Sequence, residues 1–187
     1  MFASGCSLLL SKDSYIKLSG FEESYFCYAE DWELSWKAWL AGRKIYYVPH
    51  SKVYHKNSST LGNRSNTLVY LCYRNQLRNI IKFPEFHNLI IMLPLFFAYY
   101  LALYIVAFSL HEKKYSLIFP ILKADFETMV TFPSLIRARR KIQKQRVIKD
   151  KELKKLGIIH SFKQGFDNFF ATKKRQKHFL ANYGTRI

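Results

Sequence analysis

The sequence predicts an α/β domain that runs into membrane-associating helices and a basic helical tail. Three observations point there. Short β-type runs at residues 5–10, 45–48 and 52–55 alternate with segments of helical period. A stretch of 22 residues, Leu89–Leu110, holds no charged side chain. Of the 30 Lys and Arg, 16 fall in residues 137–187, against 3 of the 13 Asp and Glu. The chain therefore divides into residues 1–87, 88–136 and 137–187, and most of its net charge of +17 belongs to the last part.

Residues 5–10, Gly-Cys-Ser-Leu-Leu-Leu, read as a short buried strand. Lys12–Ser19 suits a turn or two of helix stopped by Gly20. Glu22–Tyr28 has no clear period and reads as a loop. From Asp31 to Ala41, Trp32, Trp36, Trp39 and Leu40 recur at helical spacing on one side, with Glu33 and Lys37 as an i,i+4 pair on another. Trp36 and Trp39 are expected inside. Gly42 stands where a helix-ending left-handed residue belongs.

Ile45–Val48 is a strand candidate stopped by Pro49, and Lys52–His55 a shorter one. Asn57–Asn66 is polar loop, and Thr67–Phe83 is a helix ending before Pro84. As a helix, Leu89–Leu110 would extend ~33 Å, matching a hydrocarbon core of ~30 Å. Residues 115–136 are apolar but carry Lys123, Asp125 and Glu127, which suits a helix lying in the membrane interface better than one crossing it. Cys6, Cys27 and Cys72 are widely spaced, so no disulfide framework or zinc site is expected. Nor does the amino terminus read as a secretory signal.

Glu30-Asp31 opens the tryptophan-rich helix, where the dipole favours an ionised carboxylate. An ordinary acidic helix start reads the same way. The surrounding pattern is more specific. Gly20-Phe21-Glu22-Glu23 precedes Phe26-x-Tyr28, the pair follows, then Leu34-x-Trp36-Lys37 with Ala41-Gly42, Val53-Tyr54-His55, and Arg74-Asn75. Together these resemble the acceptor half of a family 2 glycosyltransferase of the GT-A fold, close to its bacterial rhamnosyltransferase-like branch. The likeness covers residues 3–85 well and 86–150 loosely. It departs at Phe21-Glu22-Glu23, where the family has Phe-Asp-Glu, and at Trp32, where the family has a smaller residue.

The resemblance implies the C-terminal, acceptor-side part of a GT-A (nucleotide-diphospho-sugar transferase) domain over residues 1–87. It implies Asp31 as the catalytic base and Glu30 as a residue orienting the loop or the acceptor. Trp32, Tyr28 and Phe26 would line the acceptor subsite. Arg74 and Arg78 would reach the diphosphate, although basic groups snorkelling beside a membrane would look alike. His55 would join a divalent metal, Mg or Mn, whose other ligands belong to a donor half not read in this sequence; a surface or packing role suits it as well. The expected partners are a nucleotide sugar, a glycan or lipid-linked acceptor, anionic membrane lipid and an N-terminal glycosyltransferase half. The expected location is the cytoplasmic face of the cell membrane. The chain is then a fragment or split half of an inverting enzyme, inactive alone, or else a non-catalytic membrane-associated interaction protein. In the tail, Lys173–Lys177 with Phe169, Phe170, Phe179 and Tyr183 read as a solvated or lipid-facing charged segment in preference to a nucleic-acid-binding one.

Overall fold

The computed structural model describes residues 2–55, 65–109 and 118–159, with backbone only for 106–109. The chain forms two compact units, Met1–Lys149 and Asp150–Ile187. The expected loop at 57–66 falls largely outside the described residues. So do the cation–aromatic cluster of residues 169–183 and the start of the apolar 115–136 segment.

Among the described residues every regular element is helical. The α/β class and the GT-A-type sheet expected from the sequence are therefore overturned. Residues 5–10 form a turn and irregular chain with Leu9 97% exposed, not a buried strand. Residues 45–48 and 52–55 are likewise irregular, with Tyr46 76% and Tyr54 98% exposed. β-branched and aromatic residues favour a strand only where a neighbouring strand takes their backbone hydrogen bonds and side chains. No described segment of this chain supplies one to these runs.

Helix α1 (Lys12–Lys17) starts at Ser11, whose side chain accepts from the Ser14 amide. It is closed by a chain reversal in which the Gly20 N–H donates to the Tyr15 carbonyl at 2.9 Å. Gly20 has φ +56°, and a Cβ there would stand 2.7 Å from the Tyr15 ring. Helix α2 (Glu30–Leu40) begins and ends one residue earlier than the sequence suggested, with Ala41 as its C-cap. Gly42 donates to the Trp39 carbonyl and Arg43 to that of Ala38, the paired bonds of a Schellman motif. Trp36 and Trp39 are buried, and Trp36 stacks on Phe83 with ring centroids 5.8 Å apart.

Helix α3 (Asn66–Lys82) is capped by Ser65 and forms the centre of the larger unit. Helix α4 (Phe86–Ser109) turns back beside it, bringing Phe96 and Tyr100 onto Tyr73. Helix α5 (Ile118–Gln145) runs the same way as α3. Asp125 and Glu127 meet Tyr73 and Tyr70 near one end, and Arg139 and Gln143 reach the carbonyls of Ile81 and Phe83 near the other. Tyr73, Leu77, Ile81, Phe96, Ala124 and Leu135 make the core between the three helices. The expected boundary at 136/137 falls inside α5, whose basic end belongs to the same helix as its apolar start. Phe86–Ile105 is long and apolar enough to cross a membrane by length and composition, and it is mostly exposed.

In the second unit, α6 (Asp150–Lys155) carries acids in its first turn and lysines in its last, as the helix dipole favours. Gly157, at φ +67°, follows its end.

Gly20→Ala is expected to destabilise the chain by about 1–2 kcal/mol, the usual cost of holding an L-residue in the left-handed region, plus any displacement of Tyr15. Urea denaturation midpoints of the two proteins, compared in the same detergent buffer, check this.

Candidate functional site

The candidate site is the entrance of α2, and α3 builds it. Residues 24–29 approach that entrance through an irregular path in which Phe26, Tyr28 and Ala29 all have positive φ, between 61° and 66°. Such a path leaves carbonyl groups outside the α-helical ladder, apart from that of Ala29, which accepts from the Glu33 amide. A row of polar side chains on α3 takes them. Arg74 Nη2 donates to the Ser24 and Tyr25 carbonyls at 2.8 and 3.2 Å. Asn75 Nδ2 reaches the carbonyls of Tyr25, Cys27 and Tyr28 at 3.0, 3.0 and 2.7 Å. One turn on, Asn79 Nδ2 donates to the Ala29 carbonyl at 3.1 Å, while its Oδ1 accepts from the Tyr25 hydroxyl at 2.8 Å. These residues are buried, so losing a partner would leave desolvated polar atoms unmatched.

Behind the row stands Glu127 of α5. Its Oε1 takes Arg78 Nη2 at 2.9 Å and Arg74 Nη1 at 3.2 Å, and the Tyr70 hydroxyl donates to Oε2. Burial pushes the Glu127 carboxyl up. The Tyr70 hydrogen bond and the two guanidiniums outweigh that and hold it below the usual carboxylate range. A second buried group ties α2 to α3: Glu33 accepts from Lys82 at 3.1 Å and pairs with Lys37 at 2.9 Å. The expected i,i+4 pair of Glu33 and Lys37 thus exists, with Glu33 buried, and Lys37 also donates to the Gly20 carbonyl at 3.1 Å. Burial lowers Lys82, with Glu33 and Glu22 opposing.

The held loop sets Glu30 and Asp31 in the first turn of α2. Asp31 Oδ2 accepts from the Gly5 amide at 2.9 Å and Oδ1 from the Trp32 amide at 2.8 Å. The carboxylate is partly exposed, and Trp32 beside it is 46% exposed with its ring stacked on Phe2. Glu30 is half-buried. Burial raises its carboxyl above the ordinary range and Asp31 adds to this, while a backbone hydrogen bond opposes.

The structure thus gathers Glu30, Asp31 and Trp32 at one helix start, with Phe26 and Tyr28 on the loop leading to it. Phe26 is exposed; Tyr28 is half-buried, its carbonyl held by Asn75. Arg74 and Arg78, expected to face a diphosphate, instead point inward: both are buried and bonded to loop carbonyls and Glu127. His55 is exposed, and among the described residues no group of three or more His, Cys, Asp or Glu is placed to hold a metal. The described residues therefore do not by themselves assemble the implied Mg or Mn site. Sequence reasoning gave Asn75, Asn79, Tyr25 and Glu127 no part in holding the site. The signal was present as Arg74-Asn75-x-x-Arg78-Asn79, a polar pair repeated after four residues on one helix face. Comparison with protein-family models, with curated proteins and with solved structures returns no match.

Because the folded carboxyl of Glu127 is held below its ordinary value of 4.5, its contribution to stability is complete above that pH. It is lost as pH falls through the depressed value. Glu127→Gln is expected to lower stability near neutrality and to flatten the acid limb of a stability-against-pH curve measured by denaturant titration.

Proposed function

We propose that the chain supplies the acceptor-side base of an inverting glycosyl transfer. Asp31 takes the proton of an acceptor hydroxyl as that oxygen attacks the anomeric carbon. The bond from that carbon to the nucleoside diphosphate breaks with its electron pair leaving on the diphosphate. One observation carries this reading. Asp31 sits at a helix start, oriented by the Gly5 amide, beside an exposed tryptophan face. Flat aromatic faces suit sugar rings. Glu30 takes the orienting role, with Phe26 and Tyr28 on the approach. The sugar nucleotide is held by a companion N-terminal half. The exposed Tyr46, Tyr47, Val48 and Tyr54 give such a companion an apolar surface to cover.

A second reading, a non-catalytic membrane-associated adaptor, is favoured by the inward engagement of Arg74 and Arg78, which makes them structural. The two readings separate on Asp31. Asp31→Asn, in the full chain co-expressed with a candidate N-terminal half, is expected to cut transfer from nucleotide sugar to a membrane acceptor by roughly 10²- to 10⁴-fold. Undiminished transfer would exclude Asp31 as the base and leave the adaptor.

A further inference from the structure

Helix α5 carries two faces of different chemistry. One packs inward through Ala124, Thr128, Leu135 and Arg139, all buried. On the opposite side, Phe119, Leu122, Phe126, Met129 and Val130 recur at spacings of three and four and are between 60% and 74% exposed. Pro133, also exposed, ends this apolar stripe. The same stripe then continues through Arg137, Arg140, Lys141 and Lys144, all exposed. Along one unbroken helix, the outward face changes from mainly apolar, with the exposed Lys123 turning its ammonium over the Tyr70 ring at 4.7 Å, to cationic within a turn.

We propose that this outward face of α5 docks on the surface of an anionic lipid bilayer, lying in the plane of the interface. The apolar turns enter between the acyl chains, and the four cations of the last turns sit at the phosphate level. Length supports lying over crossing: the stripe from Phe119 to Pro133 extends ~21 Å, short of the ~30 Å hydrocarbon core. Charge complementarity selects the occupant, since each Lys or Arg near an anionic leaflet strengthens binding about fivefold, whereas a neutral apolar groove would not reward the cationic turns. Helix α4, packed on the other helices of the same unit, adds a second charge-free surface over Phe86–Ile105. The inward face of α5 bears Glu127, which grips Arg74 and Arg78. Docking would therefore fix the α3 row relative to the membrane. The proposal stands apart from the sugar-transfer reading, because vesicle binding requires no catalysis.

The test places a nitroxide label at Met129→Cys, and separately at Lys141→Cys, in the full chain with Cys6, Cys27 and Cys72 changed to Ser. The labelled chain is added to vesicles of phosphatidylcholine, with or without phosphatidylglycerol. On anionic vesicles the label at position 129 is expected to become accessible to oxygen and shielded from an aqueous nickel chelate, while that at 141 stays at the headgroup level. In the cysteine-containing chain, Phe126→Glu with Met129→Glu is expected to lower vesicle partitioning at least roughly tenfold. Arg140→Gln with Lys141→Gln should lower it on anionic vesicles only. A label at 129 that stays water-accessible on bound vesicles would overturn the proposal. So would one already shielded without lipid through self-association, or vesicle partitioning indifferent to the paired Glu substitutions.

Discussion

Four polar side chains on one face of a buried helix hold the loop that precedes α2. Arg74, Asn75, Arg78 and Asn79 between them engage the carbonyls of Ser24, Tyr25, Cys27, Tyr28 and Ala29. Without them that loop would have to satisfy its backbone from water or fold differently. It also contains three non-glycine residues at positive φ, each costing on the order of 1–3 kcal/mol. Each net hydrogen bond contributes about 1 kcal/mol, and those from charged donors more, so the row is of the size needed to offset that cost. The loop's path is set from outside, by α3. Everything at the entrance of α2, Asp31 included, inherits its position from this contact.

The row is itself braced. Glu127 stands between its two arginines, so a single carboxylate on α5 orients donors that reach back to residues 24 and 25. Glu33 and Lys82 tie the body of α2 to the end of α3, with the Lys82 ammonium over the Tyr25 ring at 4.7 Å. Buried charges of this kind add little net stability over an apolar replacement, but losing one partner is costly. What they supply here is register: they fix which turn of α3 meets which turn of α2 and α5. The same α5 presents the apolar-to-cationic stripe outward, so the support of the site and the proposed lipid face are two sides of one helix.

The helices were legible because their signals are local. Gly42 closes α2, Pro84 bounds α3, and the tryptophan spacing places Trp36 and Trp39 inside. The strands were not, because a strand is a relation between segments. Ile45–Val48 has the composition of a strand, and its exposed, irregular path reflects the lack of a described segment to pair with. The arginines misled for a related reason. Sequence shows that residue 74 is cationic but not which way it faces, and the deciding partners lie about 50 residues away on either side, at Ser24 and Glu127. The Arg-Asn repeat at a four-residue interval was the one local hint.

Hydrogen–deuterium exchange of the full chain carrying Asn75→Ala tests the dependence of the site on α3 most directly. If the row holds the loop, amides from residue 24 to residue 33 should exchange much faster than in the parent chain, while those in the middle of α3 and α5 keep their protection. Unchanged exchange across that loop would show that its path is set by something other than the α3 side chains.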